Sequence, residues 1–345
     1  MRARRPIKTV TVALAAIYCL LLLGRSASAA DDMHTLSIRL AWLPSGYQAP
    51  FFLAEQKGWY KKAGIDVALT QGNGSATSVQ LVGAGQYDAG EAALSDMAFA
   101  RSKGMPLTSI ADFLRKGDLV LLVAADSAIQ SPSDLKGKTL IYSAGSLETP
   151  FLDAFFAAGG LARSDINLLN VDASAKMPSY ISGKADGVFG TASFSIPLAA
   201  GKRASRPLLF ADFGLALPSL GIVTTNARLK QKGPALRSFA SIVAGAWTYI
   251  LAGHEDEAIS AIIATHPQDR LDEAMLREQL KVSMGFLYTA ATEHEPIGVQ
   301  SAADWAKAIA VLEEAKVVDP GTKPTDYFTN DDLDLDLIKS LGAGS

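Results

Sequence analysis

The chain has 345 residues, is 49% hydrophobic and carries a formal net charge of −3. One cysteine and four histidines leave little from which to build a disulfide framework, a thiol nucleophile or a histidine metal site. No basic stripe of the kind that holds nucleic acid is present, so nucleic acid is not expected as a partner.

The first thirty residues have the composition of a leader. Arg2, Arg4, Arg5 and Lys8 precede an apolar run from Val10 to Leu23, broken only by Thr11. Ala27-Ser28-Ala29 then supplies the small residues that a signal peptidase reads. The apolar run is shorter than the ~20 residues needed to span a bilayer. Residues 1–29 are therefore expected to be a cleaved signal peptide, which makes the chain an exported, periplasmic protein. Its removal takes away five basic residues and the one cysteine, leaving 27 basic against 35 acidic residues and a formal charge of −8. The remaining ~315 residues suit two lobes of ordinary domain size better than one core.

Short apolar runs then alternate with amphipathic stretches. Leu36 to Trp42 reads as a strand, Ala49 to Lys62 as a helix stopped by Gly64, and Ile65 to Leu69 as a strand. Ala76 to Gly83 is a predicted helix, Tyr87 to Ala92 a strand, and Leu94 to Lys103 a helix closed by Gly104. Strands are predicted at Leu107 to Phe113 and Leu119 to Ala124. A second cycle opens with a capped turn at Ser131 to Lys138, a strand at Thr139 to Ser143 and a helix from Leu147 to Ala158. Ile166 to Val171, Gly187 to Gly190 and Leu208 to Phe213 follow as strands. From Ser238 the pattern is helical, at Ser238 to Ala252, Asp256 to His266, Asp272 to Phe286 and Ala302 to Ala315. Alternation of this kind predicts an α/β fold with a largely parallel sheet. The expected layout is a two-lobed binding protein, with mixed sheets flanked by helices and a ligand cleft between the lobes. Residues 30–117 and 218–345 would form lobe I and 118–217 lobe II, with a hinge at Phe113–Leu119 and Asp212–Leu220.

Several motifs have a recognisable order. Ala41-Trp42-Leu43-Pro44, Tyr47-Gln48-Ala49-Pro50, Phe52-Leu53-Ala54 and Lys57-Gly58-Trp59-Tyr60 run into Gly64-Ile65-Asp66-Val67. Gly72-Asn73-Gly74-Ser75, Met105-Pro106, Leu135-Lys136-Gly137-Lys138 and Tyr327-Phe328-Thr329-Asn330 continue the pattern. The chain resembles, along most of its length, the periplasmic solute-binding family for thiamine-pyrimidine precursors, sulfonates and nitrate. That resemblance implies a type II periplasmic binding fold and a role in delivering a solute to the permease of an ABC importer. A monomer without a cofactor is expected. The Trp42 opening and Ala49-Pro50 resemble the thiamine-pyrimidine branch, which makes a small heteroaromatic the first ligand choice. An alkanesulfonate, taurine or nitrate-like anion is the alternative, and a sensor or scaffold on the same fold stays open.

Candidate ligand residues lie where strands end and helices begin, because helix N-termini offer unpaired N–H groups. Two turns qualify, Asn73-Gly74-Ser75 and Gly145-Ser146-Leu147-Glu148-Thr149, and Ser75, Ser146 and Thr149 are the expected donors. Each serine or threonine equally suits a helix cap. Trp42, at the end of the first strand, is placed to stack on a planar ligand while Tyr47 or Gln48 bonds its edge. Glu91, in an otherwise apolar run, could accept hydrogen bonds from an exocyclic amine. Phe189, Thr191 and Phe194 are expected to form the opposite wall. Lys138 and Arg101 are the candidate cations.

An enzyme reading is weaker. Fungal relatives of this family are pyrimidine synthases that use a lysine, a histidine and a cysteine-rich stretch. By register those fall at Ala92, Asp96 and Leu215 to Leu220, which carry none of that chemistry. Gly137-Lys138-Thr139 mimics the end of a phosphate loop, but Pro132 stands where that motif needs glycine. Glu293-His294-Glu295 reads as a solvated turn. No metal and no catalytic set is expected.

Overall fold

A computed structural model describes residues 34–344; the expected signal peptide lies outside the described residues. The first sheet and its helices come from β1 (His34–Arg39), α1 (Ala49–Gln56), α2 (Trp59–Lys62), β2 (Ile65–Thr70), α3 (Ser75–Gly83), β3 (Ala89–Ala93), α4 (Leu94–Ser102) and β4 (Leu107–Asp112). The chain then crosses to β5 (Leu119–Ala124), β6 (Thr139–Tyr142), α5 (Leu152–Ala158), β7 (Asn167–Asn170), α6 (Ala173–Ile181), β8 (Gly187–Thr191), α7 (Ala192–Ala199) and β9 (Ser205–Leu209). It returns through β10 (Leu220–Thr225) and ends in α8 (Asn226–Leu251), α9 (Glu255–Thr265), α10 (Glu273–Met284), α11 (Ala302–Glu314) and α12 (Leu335–Gly342).

The strand orders are β2-β1-β3-β10-β4 and β7-β6-β8-β5-β9. Within each, the first three strands are parallel, whereas β10 runs antiparallel to β3 and β4, and β5 antiparallel to β8 and β9. The sheets are thus mixed, as the two-lobed layout leads one to expect, though less parallel than the strand–helix alternation by itself predicts. Parallel neighbours require a crossover of a dozen or more residues, while β5 and β10 are each reached by a short link from the other sheet. The two links run side by side. Phe113 and Leu114 donate to the Leu220 carbonyl at 2.9 and 3.0 Å, and Ser219 N–H donates to Leu114 O at 3.2 Å. Buried Asp118 accepts from Ser219 Oγ at 2.5 Å and from Ser193 Oγ at 2.8 Å, tying both links to the start of α7.

Local chemistry accounts for most departures from the predicted elements. The helix expected over 49–62 is two helices, because Gly58 takes a left-handed φ of 68° between them. Pro150 sits in a short 3-10 turn, Thr149–Phe151, and the regular helix starts only at Leu152. The strand expected at Leu208 to Phe213 lies earlier, at Ser205–Leu209, and residues 210–213 form a 3-10 turn. The helix expected from Ser238 starts at Asn226 and kinks at Lys232, just ahead of Gly233-Pro234. The fully buried strand Leu220–Thr225 has no counterpart among the predicted elements.

Apolar packing joins the two sheets. Phe155 stacks on Phe210 at 4.1 Å and meets Phe189 edge-on at 6.0 Å. These rings belong to the same buried cluster as Leu94 and Met97 of α4 and Trp305 of α11. Each such buried ring contributes roughly 1.5–3 kcal/mol.

Candidate functional site

The C-terminal ends of β1, β2, β6 and β8 and the start of β10 converge on a cavity, as is usual for ligand sites in open α/β sheets. On the first-sheet side it is lined by Ala41, Trp42, Tyr47, Ser75 and Leu220. Facing them are Ser146, Leu147, Lys176, Met177, Phe189 and Thr191, with Phe194 and Ser195 from α7. Its volume is about 30 Å³, roughly enough for one or two waters. That is less than the space a ring-sized ligand fills.

Trp42 and Phe194 both line the cavity and meet edge to face, with centroids 6.3 Å apart at 82°. Tyr47 sits in the 3-10 turn Gly46–Gln48 and is buried. Burial, with Glu91 beside it, pushes the Tyr47 hydroxyl well above its ordinary value, so the hydroxyl keeps its proton. Behind this wall, Glu91 Oε2 accepts the Ala41 N–H at 3.0 Å and Gln48 Nε2 at 2.9 Å. Glu91 and Gln48 do not line the cavity; they hold the backbone on either side of Trp42. Burial outweighs those two hydrogen bonds and raises the Glu91 carboxyl to about 7.

The two strand-to-helix turns are divided by the structure. Ser75 and Ser146 reach the cavity, but Asn73 is exposed and its Oδ1 accepts from Arg39 at 3.1 Å. Ser75 Oγ accepts the Ala93 N–H at 3.1 Å, which leaves the hydroxyl proton free to donate. Thr149 turns inward to Ser143 O at 3.1 Å and does not line the cavity. Thr191 caps α7, its Oγ1 accepting Phe194 N–H at 3.3 Å. Phe189 is fully buried and lines the cavity.

The cation of the site is Lys176, one turn into α6, and the expected candidates are elsewhere. Arg101 donates to Leu107 O and lies over Tyr327, and neither it nor Lys138 lines the cavity. Lys176 is 4% exposed. Its Nζ lies 2.5 Å from Glu148 Oε1, 3.4 Å from Ser146 Oγ and 5.4 Å from the centre of the Trp42 ring. A sequence signal existed: Lys176 stands on the same helix stripe as Tyr180, and a lysine on an apolar i, i+4 stripe is rarely buried unless paired. Asp96 is 1% exposed, and neither of its carboxylate oxygens is hydrogen-bonded among the described residues. Burial, with Glu148 nearby, holds it well above its ordinary value.

The two sides touch through backbone. Thr77 N–H, in the first turn of α3, donates to Gly145 O at 3.1 Å. Gly74 packs so closely that an added Cβ would lie 2.1 Å from that same oxygen. Gly145, at φ 79°, would in turn meet Thr77 Oγ1 at 2.2 Å. The 143–149 loop, which carries Ser146 and Glu148, is thus seated on α3 by two glycines.

Comparison with known proteins agrees with this architecture. The chain is similar to the formylaminopyrimidine-binding protein of Halalkalibacterium halodurans, 23% identical over 94% of this chain and 98% of that protein. Similarity to the 4-amino-5-hydroxymethyl-2-methylpyrimidine phosphate synthase of Schizosaccharomyces pombe is 30% in identity but extends over 43% of this chain and 42% of the synthase. In fold, the alkanesulfonate-binding protein SsuA from Xanthomonas axonopodis pv. citri bound to MOPS matches with a TM-score of 0.62 and 18% identity, over 87% of this chain and 97% of that one. Residues 45–258 match the NMT1/THI5-like family, and the chain belongs to that family.

Proposed function

We propose that this chain is the solute-binding component of an ABC-type importer and that its cleft holds a small uncharged heteroaromatic of the formylaminopyrimidine kind without altering it. One observation carries the reading. The cavity brings two aromatic rings, Trp42 and Phe194, together with hydrogen-bonding groups from Ser75, Ser146 and Lys176. A flat ring stacks on the first while its edge is bonded by the second. Among the described residues, histidine, cysteine and carboxylate side chains do not line the cavity, and where a serine does meet a lysine there, Ser146 Oγ with Lys176 Nζ at 3.4 Å, the lysine is already bound to Glu148. The positions matched to the synthase lysine and histidine are buried Ala92 and Asp96, which supports binding over synthesis. Similarity to a pyrimidine-binding protein over nearly the whole chain supports the ligand class.

In this reading residues 30–117 and 218–345 move as one lobe and 118–217 as the other, turning about the paired links at 113–118 and 214–219. Residues 1–29 direct export, and the closed monomer is presented to a membrane permease. Titration calorimetry and thermal unfolding of the purified protein with formylaminopyrimidine, ethanesulfonate and nitrate test it. A hundredfold excess of ligand over Kd is expected to add about 2.7 kcal/mol of stability. Stabilisation by sulfonate or nitrate and not by the pyrimidine would defeat the ligand assignment. Turnover of the pyrimidine would defeat the binding role.

A further inference from the structure

We propose that Glu148 sets the ligand class: by holding Lys176 in a neutral pair, it reserves the cleft for uncharged acceptors and turns anions away. The inference deepens the binding role proposed above and rests on the cleft being the solute site. Among the described residues, Lys176 is the one basic residue lining the cavity. An ammonium has three N–H donors. One is spent on Glu148 Oε1 at 2.5 Å and a second points to Ser146 Oγ at 3.4 Å. The third is left for a ligand, with the ammonium itself lying over the Trp42 ring.

What such a donor selects depends on the charge around it. The Glu148 side chain is fully buried, and its second oxygen, Oε2, has no hydrogen-bond partner among the described residues. Asp96 lies close enough for its own ionisation to be opposed by the Glu148 charge. A sulfonate or nitrate bound at Lys176 would add a second anion to a buried pair that is already balanced. In a low-dielectric pocket that repulsion is weakly screened, and the added charge loses its hydration. A ring nitrogen or formyl oxygen accepts the same N–H without changing the charge of the site. Anion capture would need an unpaired cation, and Glu148 removes it.

The test is a change of specificity. Glu148→Gln keeps an oxygen for the lysine to donate to and removes the negative charge. Ethanesulfonate is expected to bind this variant at least tenfold more tightly than the parent, measured by titration calorimetry. The double variant Glu148→Gln with Lys176→Met is expected to lose that gain. Should the glutamine variant fail to fold, Glu148→Ala is read in the same way, because Ser146 still lies beside the ammonium. A folded charge-free variant with no gain in sulfonate affinity overturns the proposal. So does a gain that persists in the double variant, or tight sulfonate binding by the parent. Absence of pyrimidine binding by the parent counts against the proposed ligand alone, since the sulfonate comparison is read separately.

Discussion

Gly74→Ala tests whether the backbone contact between α3 and the 143–149 loop belongs to the ligand-bound form. The new Cβ would stand 2.1 Å from Gly145 O, 2.6 Å from its carbonyl carbon and 2.9 Å from Ser146 N. All three are backbone atoms, so no side chain can swing aside, and the loop must retreat by about 1 Å or more to reach ordinary contact. The retreat breaks the Thr77 N–H to Gly145 O bond, 3.1 Å long, at a cost of about 0.5–1.5 kcal/mol. Loss of the packing around it adds roughly 1 kcal/mol. Closure is then weakened by about 1.5–2.5 kcal/mol, roughly a tenfold to seventyfold rise in Kd. Gly74 also has φ 149°, and an L-residue there adds strain of about 1–3 kcal/mol. That strain is present with the cleft open or closed, so it lowers the melting temperature and leaves affinity alone. Gly85→Ala is the control, because Gly85 has φ 75° and an added Cβ there would meet nothing within 4 Å among the described residues. Calorimetric Kd and thermal unfolding of both variants separate the two effects. A folded Gly74→Ala protein with Kd within about twofold of the parent, a difference of only ~0.4 kcal/mol, would refute the contact as part of closure.

Trp42→Ala is expected to weaken binding of a flat ligand by about 1–3 kcal/mol, the worth of one stacking face, while the protein stays folded; unchanged Kd would remove Trp42 from the site. Glu91 predicts a pH dependence of stability. Its carboxyl is raised from 4.5 to about 7 in the folded chain, so between those values the native state holds a proton that the unfolded state releases. Stability from this group is complete below about pH 4.5 and falls by about 3 kcal/mol as pH rises to about 7. Glu91→Gln, whose side-chain oxygen accepts from Ala41 and Gln48 as Glu91 Oε2 does, is expected to flatten that slope in denaturant unfolding at about pH 5 and about pH 8, on either side of the native titration. A parallel slope in the variant would assign the dependence to another group.

The candidate site was partly legible because some of its residues announce themselves locally. An aromatic at the end of the first strand, and serines in glycine-rich turns before helices, led to Trp42, Ser75 and Ser146, which all line the cavity. Asn73 and Thr149 share the same turns, yet one faces solvent and the other bonds its own loop. Which way a turn residue points is set by what packs on the turn, here the seating of the 143–149 loop on α3. Lys176 is not marked as a site cation by its local sequence, because it lies within a helix and not in a turn. Only the approach of α6 to that loop makes it the partner of Glu148, 28 residues earlier.

Residue order alone accounts for the alternation of strands and helices, the glycine and proline positions that end them, and the aromatic placed after β1. These follow from periodicity and backbone preference, which act over a few residues. The direction of β5 and β10, the side-by-side links, the Gly74–Gly145 contact and the Lys176–Glu148 pair at the cavity emerge only in the folded chain. Each joins segments far apart in the chain, and no local preference encodes which distant groups will meet when the apolar faces of two sheets and their helices are buried together.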